Sequence, residues 1–493
     1  MRFKKTILLN PLYKGSHYSR GGALPAGLGY IAEMLEERGI DYDVLDMTLG
    51  YDFEDLVDMI VDLKPDVLCV GMMTYLHEQT YGFIRRIKRT FPSIKIVVGG
   101  QHASNFREIV MQDCDEIDYV IILDGEETMS ELCEGKPLNQ ILGLMYREEG
   151  KIKYNGDRPF VNDLDKIPFP KYKKFEIERY AKYINVVSTR GCPDLCTFCP
   201  VKLTIGQAYR MRSAENVVEE IKYWYDNGVR SFGFVDDNFT LVKKRVFKIC
   251  DLIEKNNLTD ARYECPNGVR ADRVSYELLK RMKDVNFTSL AFGVESADPQ
   301  VLINIKKGET IETIDQAVKW STELGFDVSL YFIIGNPGDT MKTIEKSFKF
   351  ALKYPVQWVA FYSAMPFPRT ELYDWVKKNS TMLMDYREYF NREQEHWSNM
   401  PVFETPEFTE KERKVAFRRS RDVMRIVQMR YSLRKLNEDG LKRIKTEILF
   451  SKPIYKIRNN YFLLDNAFKI YRNLPNPLKK NAKRLFQRVN SIY

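Results

Sequence analysis

The sequence predicts an α/β protein with two parallel-sheet domains followed by a mainly helical, basic C-terminal region. Three observations support this: two runs of alternating strand and helix patterns, a Pro- and Lys-rich stretch between them, and a shift to positive charge late in the chain. With 493 residues, of which 44% are hydrophobic, the chain is long enough to bury more than one core. We place the domain boundaries at 1–140, 141–184, 185–385 and 386–493.

The first run alternates β-type segments with amphipathic helices. The β-type segments are KTILLN, DYDVLDM, DVLCVGMM, KIVVGG and DYVIILDG, and helical patterns such as LGYIAEMLEERG lie between them. This rhythm is typical of βαβ units and predicts a Rossmann-like, doubly wound sheet. Ligands of such sheets bind beyond the carboxyl ends of the strands, where GGQHAS and DGEET fall. We therefore expect a cofactor-sized site there, although each glycine taken alone can equally serve a tight turn.

The second run predicts a partial (β/α)₆ barrel. It follows a hairpin pattern, LGLMYREEGKIKYN, and the linker DLDKIPFPKYKKFE. Six strand-helix repeats can be counted from INVVSTRG to WVAFYSAMPFP, the last of them incomplete. Polar residues collect at the predicted carboxyl ends of these strands, so the second domain also presents a site at its strand ends.

The loop RGCPDLCTFCP, after the first barrel strand, contains three cysteines in CxxxCxxC spacing. These are Cys192, Cys196 and Cys199. A closed structural zinc site takes four ligands, and no histidine lies near the loop, so zinc is disfavoured. Iron-sulfur clusters also normally take four cysteines, so three would leave one iron open for chemistry. The other five cysteines are scattered, as expected of buried thiols in a reducing compartment: Cys69, Cys114, Cys133, Cys250 and Cys265.

This loop, with the aromatic Phe198 before its last cysteine, resembles the radical S-adenosylmethionine (SAM) superfamily. The resemblance implies that the three cysteines hold a [4Fe-4S] cluster whose open iron binds SAM. One electron from the cluster would then split SAM into methionine and a 5′-deoxyadenosyl radical. FVDDNFT, NGVRAD, FGVESAD and FIIGNPGDT resemble the family's later segments, in order. The implied SAM-binding residues are Phe198, Asp236, Asp237, Arg270, Glu295, Ser296, Gly335 and Pro337. Each of them, taken alone, could equally be a helix cap or an ion-pair partner.

A doubly wound domain ahead of such a barrel is similar to the cobalamin-binding group of this superfamily. LPAGLGYIAEMLEERG, VVGGQHAS and DGEET match the usual pattern of that group, and the likeness covers roughly residues 5 to 375. No histidine of the chain follows the D-x-H-x-x-G pattern, so cobalamin would bind without an axial histidine. The alternative is a domain that has lost its ligand and only supports the barrel. The implied cobalamin-binding residues are Pro25, Leu28, Met73, Thr74, Tyr75, Gly99, Gly100, Gln101, His102, Gly125 and Glu126.

The positive charge of the chain is concentrated in its tail. Residues 411–493 contain 23 Lys and Arg against 6 Asp and Glu, whereas the whole chain has a net charge of +8. The last segment, NPLKKNAKRLFQRVNSIY, predicts a helix with an apolar stripe opposite its basic residues. Such a helix could lie on an anionic membrane, or its stripe could equally pack on the protein's own core. Nucleic-acid binding is disfavoured because no reader module accompanies the charge.

The resemblance implies a cobalamin-dependent radical SAM enzyme that acts on an unactivated carbon, most plausibly a C-methyltransferase with a lipid-like or natural-product substrate. Two cofactors would have to meet one carbon, so the two strand-end sites should face one cavity. The sequence assigns no catalytic residue. The implied partners are a flavodoxin- or ferredoxin-type electron donor and a small-molecule or lipid substrate. No apolar run reaches membrane-spanning length, so we expect a cytoplasmic protein, with peripheral membrane contact through the tail as an option.

Two other enzyme classes remain open. The first is a cyclase, mutase or carbon-carbon coupling enzyme of the same group that transfers no methyl. The second is a methylthiotransferase that modifies tRNA or protein, which resembles this chain in its domain order. That class carries a second three-cysteine cluster in its first domain. Here the candidates Cys69, Cys114 and Cys133 stand far apart in sequence, so we disfavour it.

Overall fold

The structure is a computed structural model that describes residues 2–13, 22–392 and 400–439. The predicted membrane helix, residues 476–493, lies outside the described residues and stays a prediction. Within the described part of the chain, no helix is both long enough and apolar enough to cross a bilayer.

A seven-stranded sheet forms the centre of the first domain. Its strands are β1 Lys5–Asn10, β2 Asp41–Asp46, β3 Val67–Gly71, β4 Lys95–Gly99, β5 Tyr119–Ile121, β6 Leu144–Glu148 and β7 Lys151–Tyr154. Its helices are α1 Ala26–Glu37, α2 Phe53–Leu63, α3 His77–Thr90, α4 Gln101–Phe106, α5 Glu108–Asp113 and α6 Glu126–Glu134. The spatial order is β2-β1-β3-β4-β5-β6-β7.

The strand order confirms the predicted doubly wound fold. Strands β1 to β5 pair in parallel, and the chain reverses direction across the sheet between β1 and β3. The hairpin β6–β7, which the sequence pattern groups with the linker, extends this sheet by antiparallel pairing with β5. The segments GGQHAS and DGEET do lie at strand ends, but helices begin within them, at Gln101 and Glu126.

Six parallel strands form the second sheet, in the order β15-β14-β13-β12-β11-β8, which confirms the predicted partial barrel. A separate two-stranded ribbon pairs β9 with β10. The strands are β8 Ile184–Val186, β9 Thr189–Arg190, β10 Arg210–Met211, β11 Ser231–Phe234, β12 Arg262–Val269, β13 Phe287–Glu295, β14 Asp327–Ile334 and β15 Trp358–Ser363. The helices are α7 Val201–Thr204, α8 Ala214–Asp226, α9 Lys243–Lys255, α10 Tyr276–Asp284, α11 Pro299–Asn304, α12 Ile311–Glu323 and α13 Met341–Ala351.

Several barrel helices begin at a residue whose side chain accepts a hydrogen bond from the first turn. Ser213 accepts from the backbone N–H of Asn216 at the start of α8, and Ser275 caps α10 in the same way. Thr340 and Thr343 form a reciprocal capping box at α13. Such caps satisfy backbone donors that a helix leaves unpaired, so they fix where each barrel helix starts.

The described residues that follow the barrel pack against both domains. Its described elements are α14 Glu371–Asn379, β16 Thr381–Met382, α15 Tyr386–Tyr389, β17 Phe403–Glu404 and α16 Glu410–Asp439. Tyr386 and Phe390 pack against Phe106 of the first domain, while α16 lies along α13 and β15 of the barrel. The predicted domain boundary at residue 386 stays a prediction. The described residues that follow this position contribute to the hydrophobic cores of both domains.

The linker is wedged between the two domains. Tyr172 lies against Gly29 of α1, where an added Cβ would come within 2.4 Å of the tyrosine ring. The same ring lies 5.8 Å from that of Trp224 on α8. Lys171 adds an ion pair of 3.1 Å to the buried Glu33. Because aromatic packing and a buried carboxylate both depend on this placement, the linker sets how the first domain meets the barrel.

Phe332 offers a test of the barrel core. Its fully buried ring stacks on Phe361 at 4.7 Å, between β14 and β15. We expect Phe332→Ala to lower the free energy of unfolding by about 3–5 kcal/mol, because the truncation leaves a cavity among rigid neighbours. Urea unfolding followed by circular dichroism measures the change. Ile303→Ala, at a side chain that is 67% exposed, should change it by no more than about 0.5 kcal/mol. Equal losses in the two variants would contradict this description of the core.

Candidate active site between the two sheets

A cavity of about 360 Å³ lies where the strand ends of the two domains face each other. This volume is within the range of cofactor and small-molecule pockets. One wall comes from the first domain, including Gly71, Gly99 and Gly100. The other comes from the barrel, including Asp237 and Asn267. The fold thus brings the two predicted strand-end sites to one shared space.

Six predicted cobalamin-binding residues line this cavity: Leu28, Gly99, Gly100, Gln101, Gly125 and Glu126. The other five lie outside its described lining: Pro25, Met73, Thr74, Tyr75 and His102. The Tyr75 ring packs edge-on against Phe390, and the buried His102 ring hydrogen-bonds with the Tyr81 hydroxyl at 2.9 Å. All eleven contacts with cobalamin stay predictions.

Glycines make the first-domain wall smooth. Gly71 and Gly99 are register partners on β3 and β4. Gly100 has a φ of +100°, and an added Cβ would lie 2.9 Å from the Met72 carbonyl oxygen, so only glycine fits that turn. The part of the wall formed by these three glycines has no side chains, which suits a large, flat group held by backbone contacts. No histidine belongs to the described lining of this cavity, and cobalamin binding without an axial histidine stays a prediction.

The cysteine loop folds back on itself at the barrel mouth. Gly191 has a φ of +84°, and a Cβ there would lie 2.3 Å from the Ala208 carbonyl oxygen. The backbone N–H of Cys192 donates to the Gly206 carbonyl at 3.3 Å. Farther along the loop, the N–H of Thr197 donates to Ile305 at 3.0 Å. These contacts fix both the start and the middle of the loop, which holds the cysteines in place.

The three clustered thiols differ from the other five. Cys192, Cys196 and Cys199 are partly exposed, whereas the remaining cysteines are buried. Burial, with contributions from the nearby Cys196, Asp237 and Cys192, raises the pKa of Cys199 to about 12. Across the described residues, no set of three His, Cys, Asp or Glu side chains converges on a single metal ion. Cys192 and Cys196 lie near enough to Cys199 to influence its pKa, so the fold groups the three thiols of this loop.

The two aspartates after β11 have different surroundings. Asp236 is buried and accepts hydrogen bonds from the backbone N–H groups of Ser188 and Thr189, at 2.7 and 2.9 Å. Asp237 lines the cavity and accepts a hydrogen bond from the backbone of Gly191. Burial, together with the charge of Asp236, raises the pKa of Asp237 to about 6. Asp236 therefore ties β11 to the start of the cysteine loop, and Asp237 is the carboxylate that faces the cavity.

A buried ionic network lies beside Cys196. Arg270 pairs with Asp194 at 3.3 Å. Lys307 pairs with Glu295 at 3.2 Å and with Glu309 at 3.4 Å. Lys307 also lies close enough to Cys196 to oppose the rise that burial causes in the pKa of that thiol. The network could hold the charged amino-acid end of SAM, whose groups are an ammonium and a carboxylate.

Arg270 and Glu295 of this network are predicted from the sequence, whereas Asp194, Lys307 and Glu309 are not. Asp194 lies inside the three-cysteine loop and could have been noticed from that position. Lys307 and Glu309 belong to KKGET, a segment that resembles an ordinary solvated turn before a helix. No local pattern marks them as buried. Their role follows only from the way α11 and α12 fold back over β12 and β13.

The other predicted SAM residues have local structural contacts. The Ser296 hydroxyl accepts a hydrogen bond from the Asp298 backbone at 3.2 Å, and the Pro337 carbonyl accepts one from Asn304 at 2.9 Å. Gly335 has a φ of +103°, and an added Cβ would lie 2.3 Å from the Arg413 guanidinium. The partly buried Phe198 packs against the cores of both domains. Their contacts with SAM stay predictions.

Two arginines and two carboxylates form a buried cluster at the domain seam, which the sequence patterns do not predict. Arg190 of β9 pairs with Glu126 at 2.6 Å and with Asp124 at 3.2 Å. Arg210 of β10 also pairs with Asp124. Removing one member of such a buried group leaves its partner's charge uncompensated, which typically costs about 3–5 kcal/mol. The cluster joins the cysteine loop to the cavity wall of the first domain.

Fold and site together define a two-domain iron-sulfur enzyme whose cluster loop faces a second cofactor site. Known proteins agree with this description. The family model of the radical SAM superfamily matches residues 186–351, and that of the B12 binding domain matches residues 19–133. An uncharacterized methyltransferase of Pyrococcus horikoshii is 32% identical over 376 residues, which cover 74% of this chain and 81% of that protein. The chain belongs to the radical SAM superfamily and carries a B12 binding domain.

Two further comparisons agree with this assignment. Cytidylyl-2-hydroxyethylphosphonate methyltransferase of Streptomyces wedmorensis is 25% identical over 441 residues, covering 75% of this chain and 81% of that protein. The solved structure of the cobalamin-dependent S-adenosylmethionine radical enzyme OxsB has a similar fold, with a TM-score of 0.73 at 17% identity. That likeness covers 99% of this chain and 75% of the other. The two domains confirm the expected cofactors, which are a [4Fe-4S] cluster, SAM and cobalamin.

The cysteine loop predicts a specific loss of iron. We expect alanine at Cys192, Cys196 or Cys199 to reduce bound iron and sulfide to less than about a quarter of the wild-type content, because each thiolate holds one corner of the cluster. Iron and sulfide analysis after anaerobic reconstitution measures this. Cys250→Ala is the matched control, since that thiol is buried in the barrel core, and it should keep full iron content. If any of the three variants retained a full [4Fe-4S] complement, that cysteine would not be a ligand.

Proposed function

We propose that the protein is a cobalamin-dependent radical SAM C-methyltransferase that acts on an unactivated carbon of an apolar, lipid-like substrate. The observation that carries the proposal is the single cavity lined by Gly100 of the first domain and Asp237 of the barrel. When bound, the cluster with SAM would supply a carbon radical and cobalamin would supply a methyl group. Two reactive groups held at one cavity need no diffusion between sites, which is the main entropic advantage of such an arrangement.

Methyl transfer is supported by the names of relatives. Both curated relatives described above are named as methyltransferases, and each aligns with about three quarters of this chain. Alignments of 376 and 441 residues are longer than either domain, so each extends over both. The alternative of a cyclase, mutase or coupling enzyme of the same group differs only in the fate of the substrate radical. Product analysis therefore separates the two.

The chain's own residues would bind and orient the cofactors and exclude water. The network of Arg270, Lys307 and Glu295 offers both charges that the amino-acid end of SAM needs. The glycine wall of Gly71, Gly99 and Gly100 allows close approach of a flat group. Asp237 lines the cavity, and its pKa of about 6 lets it hold or release a proton near neutral pH.

An apolar substrate is supported by the face of β15 that turns away from the helices. Val359 and Phe361 are buried, and Phe361 packs on Phe348 of α13. The alternate residues Trp358 and Tyr362 are 38% and 40% exposed, although they belong to a strand of the central sheet. Beside them, Tyr331 reaches across to the Pro266 carbonyl of β12. These exposed aromatic side chains of β15, which we call the aromatic wall, are suited to contact with a bulky apolar ligand.

Like other radical SAM enzymes, the protein requires a reductant and a small-molecule substrate. We further propose that the electron donor is of flavodoxin or ferredoxin type. Contact with an anionic membrane through the basic tail is also part of the proposal, because a lipid-like substrate would be taken up at that surface. The tail residues 440–493 lie outside the described chain, so this part rests on their sequence pattern alone.

The stoichiometry of the reaction tests methyl transfer. We expect each methylated product to be accompanied by one S-adenosylhomocysteine and one 5′-deoxyadenosine, because one SAM supplies the methyl group and a second supplies the radical. Anaerobic assays with reductant, hydroxocobalamin and a lipid extract, followed by mass spectrometry with methyl-deuterated SAM, measure all three. Formation of 5′-deoxyadenosine without deuterium transfer to any product would move the assignment to the cyclase and mutase class.

The aromatic wall makes a separate prediction about the substrate. We expect Tyr362→Ala combined with Trp358→Ala to weaken binding of the apolar probe 1-anilinonaphthalene-8-sulfonate at least about threefold, because two stacking surfaces are removed. Fluorescence titration measures this. Tyr276→Ala is the control, since Tyr276 is similarly exposed but lies on helix α10 outside the barrel, and it should leave the affinity unchanged. Equal affinities in all three proteins would rule out this wall as an apolar binding surface.

A further inference from the structure

We propose that Arg190 and Arg210 are positioning residues that couple occupancy of the first-domain cavity to SAM binding at the cysteine loop. The inference rests on the proposed function for the identity of the two cofactors, cobalamin and SAM. It does not depend on methyl transfer, because both cofactors bind before any group is moved.

The two arginines stand at the two ends of the cysteine loop. Arg190 directly precedes Gly191, and Arg210 is its register partner on the antiparallel ribbon. All three cluster cysteines lie in the segment 191–209 that the ribbon closes. Arg210 also donates a hydrogen bond to the Ile205 carbonyl within that segment, at 3.0 Å. The position of the ribbon therefore sets the position of the loop.

The arginines are held by the first domain rather than by the barrel. Asp124 pairs with both of them, and Glu126 pairs with Arg190. The four side chains have exposures of only 2–16%, so solvent screens these charges little. With two positive and two negative groups, the cluster is neutral overall, and each member depends on the others for compensation.

The carboxylates belong to the wall of the cavity. Asp124, Gly125 and Glu126 form the turn between β5 and α6, and all three line the cavity. The turn has little free space, because a Cβ on Gly125 would lie 3.3 Å from both Ile31 and Ile121. A group that fills the cavity must therefore press on the turn that holds the arginines.

Tyr30 provides a second connection from the cavity wall to the ribbon. Its ring lines the cavity and lies 4.9 Å below the Arg190 guanidinium. Its hydroxyl donates to the Val187 carbonyl at 3.3 Å, just before β9 begins. Two contacts of different chemistry thus link the first-domain wall to the same two-residue strand. A ligand that orders this wall would also order the loop that binds SAM.

An ion-pair cluster that only stabilised the contact between the domains would give a different binding result. It would raise stability, but the affinity for SAM would be the same with and without cobalamin. Coupling instead requires that each cofactor change the affinity for the other by the same factor, because linkage is reciprocal. The ratio of the SAM dissociation constants measured with and without cobalamin therefore separates a positioning role from a purely stabilising one.

The experiment uses full-length protein with a reconstituted cluster under anaerobic conditions. SAM is titrated with and without hydroxocobalamin, and its binding is followed by the change in the electron paramagnetic resonance signal of the reduced cluster. In wild-type protein we expect hydroxocobalamin to tighten SAM binding by about fivefold or more, the usual lower range for coupled sites. In Arg190→Gln and Arg210→Gln, hydroxocobalamin should tighten SAM binding by less than about twofold.

Arg281→Gln is the matched control. It removes a more exposed arginine of α10 that pairs with Asp251 and Glu254 of α9. Arg281 does not belong to the described lining of the cavity, so this variant should keep the wild-type effect of hydroxocobalamin on SAM affinity. Glu126→Gln tests the cluster from the other domain and should also reduce the factor, even if an arginine variant fails to fold. Reciprocity is checked by titrating hydroxocobalamin with and without SAM.

Two results would overturn the inference. The first is a wild-type protein whose SAM affinity does not depend on hydroxocobalamin. The second is a Glu126→Gln variant, or either arginine variant, in which hydroxocobalamin still tightens SAM binding as much as in the wild-type protein. A protein that shows the coupling but methylates nothing would refute the proposed function and leave this inference intact. A protein that methylates its substrate without any coupling would refute this inference and leave the proposed function intact.

Discussion

The buried ion-pair cluster at the domain seam is the constraint on which the rest of the site depends. Arg190 and Arg210 bracket the cysteine loop, and Asp124 and Glu126 belong to the wall of the other domain. Charges buried to this extent are tolerated only when each has a partner in good geometry. The two domains must therefore keep one relative placement, and that placement creates the cavity that both cofactors would share.

The cysteine loop shows how backbone geometry prepares a site for inorganic chemistry. Gly191 provides a turn that no other residue could make, and Asp236 holds the strand before it through two backbone hydrogen bonds. The loop is fixed at its base while its three thiols remain partly open to solvent. This combination suits a cluster that needs rigid support on three corners and free access at the fourth. The network of Arg270, Lys307 and Glu295 places charges of both signs beside Cys196.

The two walls of the cavity have different chemical characters. The first-domain wall is largely glycine and apolar side chains, which favours contact with an extended flat group. The barrel wall carries carboxylate and amide groups. Outside the described lining, Trp358 and Tyr362 of β15 leave an aromatic surface exposed. The difference between the two walls agrees with an enzyme that holds two different cofactors at one cavity.

Much of this protein was determined by local sequence. Strand and helix alternation predicted both sheets, because the periods of 2 and 3.6 residues are set by backbone geometry. The CxxxCxxC spacing identified the cluster loop through its resemblance to the radical SAM superfamily. Gly99 and Gly100 marked a wall of the cavity, because only glycine allows such close backbone approach. The tertiary structure decided the rest: Lys307, Glu309 and Arg210 have no local pattern that separates them from surface charges, and nothing in DGEET shows that Asp124 pairs with two arginines. Their partners are distant in the chain, and a buried ion pair exists only after folding has brought both charges together and removed the water around them.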